Sequence, residues 1–192
     1  MEIAEVASAL RMLTVPWAIA GGWAIDLALG HVTRSHHDVD VAVLRADQAT
    51  LRAELATWTF DVVRDGARVP WPAGVRLNAS LFETYGWPAD ADPSSAVEFL
   101  LHERAGDDWV YRRDSTVRRP LSLALRPGPD GILLLAPEIV LLYKSKAPRG
   151  DDEHDFTIAL DLLDEDARTW LRSAIARNAP THPWLVRLAR GA

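Results

Sequence analysis

The segment from Gly21 to Leu44, "GGWAIDLALGHVTRSHHDVDVAVL", constrains the fold more than any other part of the chain. The apolar run "WAIA" just before it predicts a short buried strand, and the glycine pair predicts a tight turn. "WAIDLALG" has the apolar spacing of a helix and ends at Gly30, a residue type that often terminates helices. "DVDVAVL" predicts a second strand. A strand, glycine turn, helix and strand in close succession indicate a sheet with helices packed on it.

Asp38 and Asp40 lie at the start of that second strand, so we expect both side chains on the same face of the sheet. Two carboxylates held that close repel each other unless a cation lies between them. Such a pair can bind one or two magnesium ions, which prefer oxygen ligands. The alternative is a pair of acids that simply face solvent. The glycine pair upstream favours the metal site, because a glycine turn that opens a helix lets a phosphate approach the positive helix end.

The composition limits the kinds of partner. The 192 residues include 27 acidic and 21 basic ones, and this net charge of −6 argues against a nucleic-acid-binding surface and mildly favours a cationic partner. Cysteine is absent, which excludes thiolate catalysis and cysteine-ligated zinc. The first residues do not form a signal peptide, and no apolar run is long enough to span a bilayer. We therefore expect a cytoplasmic protein with no membrane segment.

The remaining patterns predict an α+β fold. We expect a mixed sheet flanked by helices over residues 1–135, with strands at "FDVVR", "VRLNASLF" and "SAVEFLLHE", and "DDWVYRR" as the hairpin partner of the last. From residue 136 the sequence changes to four helical segments, three of which begin with acids that suit a helix N-terminus. We therefore expect one domain over residues 1–135 and a helical subdomain over residues 136–192.

The Gly21–Asp40 segment also resembles a known family. The residues that carry the resemblance are Gly21-Gly22-Trp23-Ala24-Ile25-Asp26, Thr33-Arg34, His36 and Asp38-Val39-Asp40. They are similar to the signature of the aminoglycoside and lincosamide nucleotidyltransferases, which belong to the DNA polymerase beta-like nucleotidyltransferase superfamily. Less specific similarity continues through "VEFLLHE", "WVYRRD", "LAPEIVLLYKSKAPR", "DDEHDF" and "HPWL".

The resemblance implies an activity and a cofactor. Residues 1–135 would form a nucleotidyltransferase catalytic domain with a mixed sheet, and residues 136–192 a C-terminal helical subdomain. ATP would donate a nucleoside monophosphate to a hydroxyl of a small acceptor such as an aminoglycoside, with magnesium as cofactor and pyrophosphate as the second product. Gly21 and Gly22 would bind the nucleotide. The acidic net charge is compatible with a cationic acceptor.

Enzymes of this kind normally need a third carboxylate on a neighbouring strand, and we expect Glu98 to supply it. In "AVEFLLH" the acid lies on the face opposite Val97 and Phe99, so an apolar face packs while the acid points away. Glu98 would complete the metal site and accept the proton of the acceptor hydroxyl. Glu83 and Glu103 are the other candidates. An edge-strand acid facing solvent is the alternative to any catalytic role.

The departing pyrophosphate needs cations, and Lys144 and Lys146 at the end of "PEIVLLYKSK" are the best suppliers. The resemblance places a lysine there too. Two solvated lysines that favour a helix C-terminus are the alternative. Arg34 matches the family's Thr-Arg pair and would bind phosphate or hold the loop by pairing with a carboxylate, with the structural role favoured.

Other candidate residues have competing interpretations. His36, His37 and the two aspartates would suit zinc, but adjacent histidines on an extended segment point to opposite sides. The basic cluster is either a solvated hairpin face, which we favour, or a phosphate-binding wall. Several tryptophans would either stack on a ligand or anchor the core, as is more usual. The cluster is Arg112, Arg113, Arg118 and Arg119, and the tryptophans are Trp71, Trp87 and Trp109.

The acceptor is the least constrained part of the prediction, because residues 65–95 follow no motif of the family. A nucleotidyltransferase that modifies a protein or an RNA end, as toxin–antitoxin relatives of the superfamily do, is the main alternative, although the acidic chain offers no positive track for RNA. A non-enzymatic nucleotide-binding module is a third reading, disfavoured by the intact carboxylates. The chain is short, so a homodimer would supply a missing wall of the acceptor pocket.

Overall fold

The computed structural model describes residues 1–189 of the chain, as a mixed sheet with helices packed on it. The strands are β1 Trp17–Ile19, β2 Asp40–Leu44, β3 Trp58–Arg64, β4 Ala67–Pro70, β5 Glu83–Pro88, β6 Val97–Ala105, β7 Asp108–Val110, β8 Arg118–Pro120, β9 Leu125–Pro127 and β10 Leu133–Leu135. The helices are α1 Ile3–Leu10, α2 Gly21–Leu29, α3 Gln48–Glu54, α4 Leu121–Ala124, α5 Pro137–Lys144, α6 Gly150–Ala159, α7 Glu165–Asn178 and α8 Trp184–Leu188.

The sheet has the strand order β4-β3-β5-β6-β2-β1-β10-β9, and the far end of β6 also pairs with β7, which pairs with β8. β2 runs parallel to β6 and β1 parallel to β10, whereas the other neighbours are antiparallel. The prediction of an α+β fold with a mixed sheet is therefore confirmed. In β2, Val41 through Leu44 are all buried, as expected of a central strand with both faces covered.

Helices α2, α5 and α6 pack on one another, and α5 also contacts α7. The last strand ends at Leu135 and the remaining elements are helical, in agreement with the helical segments predicted from residue 136 onward. The division into two domains stays a prediction, and Arg190 to Ala192 of the helical subdomain lie outside the described residues. Over residues 1–189, none of the helices has both the length and the apolar character needed to cross a bilayer.

Two strand predictions differ from the structure. β2 begins at Asp40, so Asp38 precedes the strand. No strand forms over residues 75–82, because side chains from elsewhere bind the backbone groups that a strand would use. The amide of Gln48 pairs with both the N–H and the C=O of Leu77, at 2.7 and 3.3 Å. The guanidinium of Arg45 donates to the carbonyls of Asn78 and Leu81, at 2.8 and 2.7 Å.

Candidate active site

Three carboxylates converge at one edge of the sheet. Asp40 is the first residue of β2, and Glu98 is its direct cross-strand partner on the parallel strand β6. Asp38 lies just before β2 and is exposed, whereas Asp40 and Glu98 are half-buried. One oxygen from each of the three lies within 4.8 Å of the others. The parallel register places Asp40 opposite Glu98. Sequence spacing alone does not determine which residues of the two strands pair.

The carboxylates have perturbed titration behaviour. Burial raises the pKa of Asp40 to about 6, and the neighbouring Asp38 adds to the shift. Burial also raises the pKa of Glu98 to about 8, with a further contribution from Asp40, although the hydroxyl of Tyr85 opposes the shift by donating to Oε2 at 2.9 Å. The same contacts raise the pKa of Tyr85, through burial first and then Glu98. Carboxylate oxygens that converge on one point and repel one another are suitable ligands for a hard divalent cation such as Mg²⁺.

The pKa values predict how the stability of the metal-free protein depends on pH. Both acids titrate at higher pH in the folded protein than in an unfolded chain, so the folded state binds more protons between about pH 4 and pH 8. The stability that these groups contribute is therefore present below about pH 4 and is lost as the pH rises through the pKa values of the folded state. Glu98→Gln removes the larger shift, so we expect it to increase the free energy of unfolding by roughly 1–3 kcal/mol at pH 9.

Thermal unfolding of wild-type protein and Glu98→Gln in chelator, from pH 5 to pH 9, measures this effect. The difference in Tm between the two proteins should widen with pH. A difference that stays constant over the whole range would contradict the assignment, because an uncharged structural contribution of the side chain does not titrate.

The glycine pair is packed tightly against the site. Gly21 has φ +60°, and a Cβ at this position would lie 1.9 Å from Oδ2 of Asp40. A Cβ on Gly22 would lie 2.2 Å from a guanidinium nitrogen of Arg34 and 2.7 Å from the ring of His36. Gly21 therefore gives space to the carboxylate cluster. Gly22 instead gives space to the loop that leads to it, a role that sequence reasoning did not assign.

That loop is held by Asp26, a buried residue of α2. Its carboxylate accepts from the backbone N–H and the hydroxyl of Thr33, at 3.0 and 2.6 Å, and contacts Nε2 of His36 at 2.7 Å. The ring of His36 also stacks on Trp23, with centroids 4.3 Å apart. The spacing of Asp26, Thr33 and His36 is thus explained by one hydrogen-bonded unit that orients the chain ahead of Asp38 and Asp40.

Arg34 is bound to a carboxylate on α6. Its guanidinium makes a bidentate contact with the buried Asp155, at 2.8 and 2.9 Å. This geometry supports the structural alternative for Arg34 rather than direct contact with phosphate. Lys144 reaches the same carboxylate at 3.0 Å and Asp152 at 2.7 Å. The acids at the start of α6 therefore fix both cations next to the site.

Replacing Arg34 tests its role. Arg34→Gln leaves the buried Asp155 with Lys144 as its remaining cation, so we expect the free energy of unfolding to fall by about 3 kcal/mol. The KM for ATP should change by less than about threefold. Urea unfolding and initial-rate kinetics measure the two quantities, and Arg172→Gln on the exposed face of α7 is the control. Unchanged stability with a KM more than about tenfold higher would show that Arg34 binds phosphate.

A cleft of about 410 Å³ opens beside the carboxylates. Asp40 and Glu98 lie at one part of its wall, with Gly21 next to them. Basic side chains from several elements line the rest, namely Arg112, Arg113, Lys144, Lys146 and Arg149. Both predicted lysines thus face the same cleft as two of the predicted acids, and Lys146 is the more exposed of the two.

The basic cluster divides into two parts. Arg112 and Arg113 line the cleft, and Arg119 is buried in ion pairs with Glu138 and Asp166. The solvated-face interpretation does not fit the half-buried Arg112 or the buried Arg119, whereas Arg113 is exposed. Arg118 is exposed and fits that interpretation. Sequence reasoning did not identify His102, Phe82 and Tyr143, which also line the cleft. The only signals were the similarity of "VEFLLHE" to the family for His102 and that of "LAPEIVLLYKSKAPR" for Tyr143, whereas Phe82 lies in the region without a family motif.

The remaining candidates lie outside the cluster. Glu83 shares the hydroxyl of Tyr85 with Glu98, at 3.0 Å, and Glu103 forms an ion pair with Arg45. Among residues 1–189, the group with metal-binding geometry is Asp38, Asp40 and Glu98. It includes neither His36 nor His37, so the geometry does not support the zinc site. The tryptophans considered as stacking platforms are all buried, as core anchors are, namely Trp71, Trp87 and Trp109.

Comparison with known proteins supports the resemblance. Residues 2–78 match the family model described as aminoglycoside-2''-adenylyltransferase. This region includes α1, β1, α2, β2 and the loop that carries Asp38. Comparison with curated protein sequences returned no match.

Solved structures share the fold. A crystal structure of ANT(2'')-Ia in complex with adenylyl-2''-tobramycin has 17% identity and a TM-score of 0.58, covering 92% of this chain and 97% of the other. The solution structure of ANT(2'')-Ia has 16% identity and a TM-score of 0.58, covering 93% and 91%. Lincomycin-bound LnuA, a lincosamide antibiotic adenylyltransferase, has 12% identity and a TM-score of 0.55, covering 84% and 96%. The first part of this chain thus matches the aminoglycoside-2''-adenylyltransferase family model, and the chain shares its fold with these adenylyltransferase structures.

Proposed function

We propose that the protein is a magnesium-dependent nucleotidyltransferase that transfers AMP from ATP to a hydroxyl of a small acceptor and releases pyrophosphate. The observation that carries this proposal is the convergence of Asp38, Asp40 and Glu98 at a cleft lined by basic side chains. An acidic centre bordered by cations suits a ligand that brings both phosphate groups and a divalent metal ion.

Asp38, Asp40 and Glu98 would hold the cation. When bound, Mg²⁺ would supply charge neutralisation for the carboxylates and for the phosphate oxygens of the nucleotide. The raised pKa values of Asp40 and Glu98 fit this role, because a cation would offset both of their causes, which are burial first and then repulsion between the acids.

Glu98 would also act as the general base. Tyr85 donates to Oε2 of Glu98, and Oε1 has no hydrogen-bond donor among the described residues, so that oxygen is available to the acceptor hydroxyl. The proton of that hydroxyl would move to Oε1 as the acceptor oxygen attacks the α-phosphorus. A carboxylate placed within hydrogen-bond reach in this way typically contributes about 10²–10⁴-fold to the rate.

Lys144 and Lys146 would contact the phosphates that leave as pyrophosphate. Lys144 is held on the cleft wall by Asp152 and Asp155, so its ammonium group is already positioned before the nucleotide binds. Gly21 lets the backbone at the start of α2 approach a phosphate, and the helix end adds a favourable dipole. Most of the rate enhancement would come from this positioning and from electrostatic stabilisation.

The acceptor would bind on the sheet face next to Glu98. Tyr85 is the cross-strand partner of Glu98 on one side and of Asp61 on the other, and Glu83 pairs with Leu100. Direct partners project from the same face of a sheet, so Asp61, Glu83 and Glu98 form an acidic strip there. This strip supports a hydroxylated, cationic acceptor. The tobramycin and lincomycin named in the two neighbouring crystal structures support an antibiotic of either class.

The test is transfer of label from α-labelled ATP in the presence of magnesium, with tobramycin, lincomycin and related compounds as acceptors. We expect label on one acceptor class with an equivalent release of pyrophosphate, and loss of both in Asp38→Asn and Asp40→Asn. Label on the protein itself or on added RNA would instead favour a macromolecular acceptor. Absence of transfer with every acceptor would contradict the proposal.

A further inference from the structure

We propose that Phe82, His102 and Arg112 form a binding subsite for the base of the donor nucleotide, which we call the base subsite. This inference rests on the proposed function, because it assigns a second part of the same cleft. All three residues line the cleft together with Asp40 and Glu98. Their contacts indicate hydrogen-bond donors that no group of the described protein uses.

The position of His102 separates this subsite from the phosphates. His102 follows Glu98 by four residues on β6, and both lie in the stretch of unbroken pairing with β2. Residues at even spacing share one face of a strand, and four residues span about 13 Å. A phosphate bound at the carboxylates therefore does not reach His102, whereas a nucleoside attached to that phosphate extends away from it along the cleft.

The tautomer of His102 follows from its one partner. Nε1 of Trp109 lies 2.9 Å from Nδ1 of His102. An indole N–H can only donate, so Nδ1 is the acceptor and the proton of the neutral ring is on Nε2. His102 is buried, and burial together with the nearby Arg112 lowers its pKa to about 4, so the ring is neutral at physiological pH. Nε2 makes no hydrogen bond with the described residues and is a donor without an acceptor.

Arg112 adds a second such donor. Its Nε is buried and has no hydrogen-bond partner, and no carboxylate in residues 1–189 forms an ion pair with its guanidinium. A buried donor left unpaired destabilises a protein, and a ligand that brings an acceptor relieves that cost. Two such donors in one cleft therefore point to a ligand group with hydrogen-bond-accepting atoms.

Phe82 provides a flat surface next to these donors. The guanidinium carbon of Arg112 lies 3.3 Å from the centre of the Phe82 ring, so the planar group is stacked on the aromatic face. The backbone of Phe82 is fixed, because its carbonyl accepts from the N–H of Leu101 at 2.8 Å. Arg45 holds the preceding residue through the carbonyl of Leu81.

A nucleobase matches this environment. It is planar, its ring nitrogens and carbonyl oxygens accept hydrogen bonds, and it stacks on aromatic and guanidinium planes. A triphosphate has acceptor oxygens but no planar apolar surface, and it has other cations in the part of the cleft lined by Lys144 and Lys146. The base of the nucleotide is therefore the group of the proposed substrate that uses both the donors and the stacking surface.

The experiment compares two probes, each with magnesium and without acceptor: a non-reactive ATP analogue with a methylene bridge between the α- and β-phosphates, and inorganic tripolyphosphate. His102→Asn keeps an acceptor near Nδ1 for Trp109 but removes the donor at Nε2. His102→Gln is the matched control, because its amide can provide a donor near Nε2 while Trp109 loses its acceptor. Arg112→Lys keeps the charge and removes the planar donor group. Calorimetry gives the affinities.

We expect His102→Asn and Arg112→Lys to bind the ATP analogue about tenfold more weakly and tripolyphosphate as the wild type does. His102→Gln should keep most of its affinity for the analogue, even if its Tm falls. Equal effects on both probes, no effect on either, or the same loss in His102→Asn and His102→Gln would overturn the base subsite alone. Wild-type protein that binds neither probe would overturn the proposed function together with this inference.

Discussion

Replacing Asp40 with asparagine is expected to lower the rate of nucleotidyl transfer by a factor on the order of a thousand or more. The amide has the shape of the carboxylate but lacks its charge. Asp40 is the central member of the cluster, two residues after Asp38 in sequence and opposite Glu98 in the sheet. The loss should persist at saturating ATP, because negative charge builds up on the phosphate oxygens in the transition state and the interaction is therefore stronger there than in the bound ground state.

The same replacement should not unfold the protein. Asp40 has a raised pKa because of its burial and its acidic neighbours, so removing its charge relieves repulsion in the metal-free state. We expect a Tm at pH 8 that is equal to or above that of the wild type. The exposed Asp107→Asn changes the net charge equally outside the site and should keep full activity. A wild-type rate for Asp40→Asn across a magnesium titration would refute the metal assignment.

Gly21→Ala is the second substitution with a large expected effect, namely a loss of activity of about a hundredfold or more. The added Cβ would lie 1.9 Å from Oδ2 of Asp40, so either the carboxylate or the turn must move. The positive φ of +60° adds backbone strain of about 1–2 kcal/mol for a residue with a side chain. Both effects act on the position of Asp40 and on the start of α2.

Gly30→Ala separates these two effects. Gly30 also has a positive φ, +79°, but nothing lies within 4 Å of a Cβ placed there. It terminates α2 in the left-handed conformation, donating to the carbonyls of Asp26 and Leu27. Gly30→Ala should therefore lose about 1 kcal/mol of stability and retain most of its activity. Thermal unfolding and label transfer, measured on both variants, test the difference. Comparable activity in the two would show that the contact with Asp40 does not matter.

Local patterns predicted much of the fold. Helix α2, its end at Gly30 and the strands on either side of it follow from apolar periodicity and from glycine placement, which depend on neighbouring residues alone. The stretch 75–82 was predicted as a strand because its own residues favour one. It forms none, since Gln48 and Arg45, distant in sequence, bind its backbone.

For the candidate site, the sequence by itself determined the chemistry available: two acids in an Asp-x-Asp motif, a glycine turn before a helix, and lysines at the end of a later helix. These features are local, so residue type and spacing define them. Only the tertiary structure decided which distant groups meet. The parallel pairing of β2 with β6 brings Glu98 opposite Asp40, and the packing of α6 brings Asp155 into hydrogen-bond contact with Arg34. Strand pairing and helix packing join segments far apart in the chain, and burial then leaves His102 neutral beside the cleft.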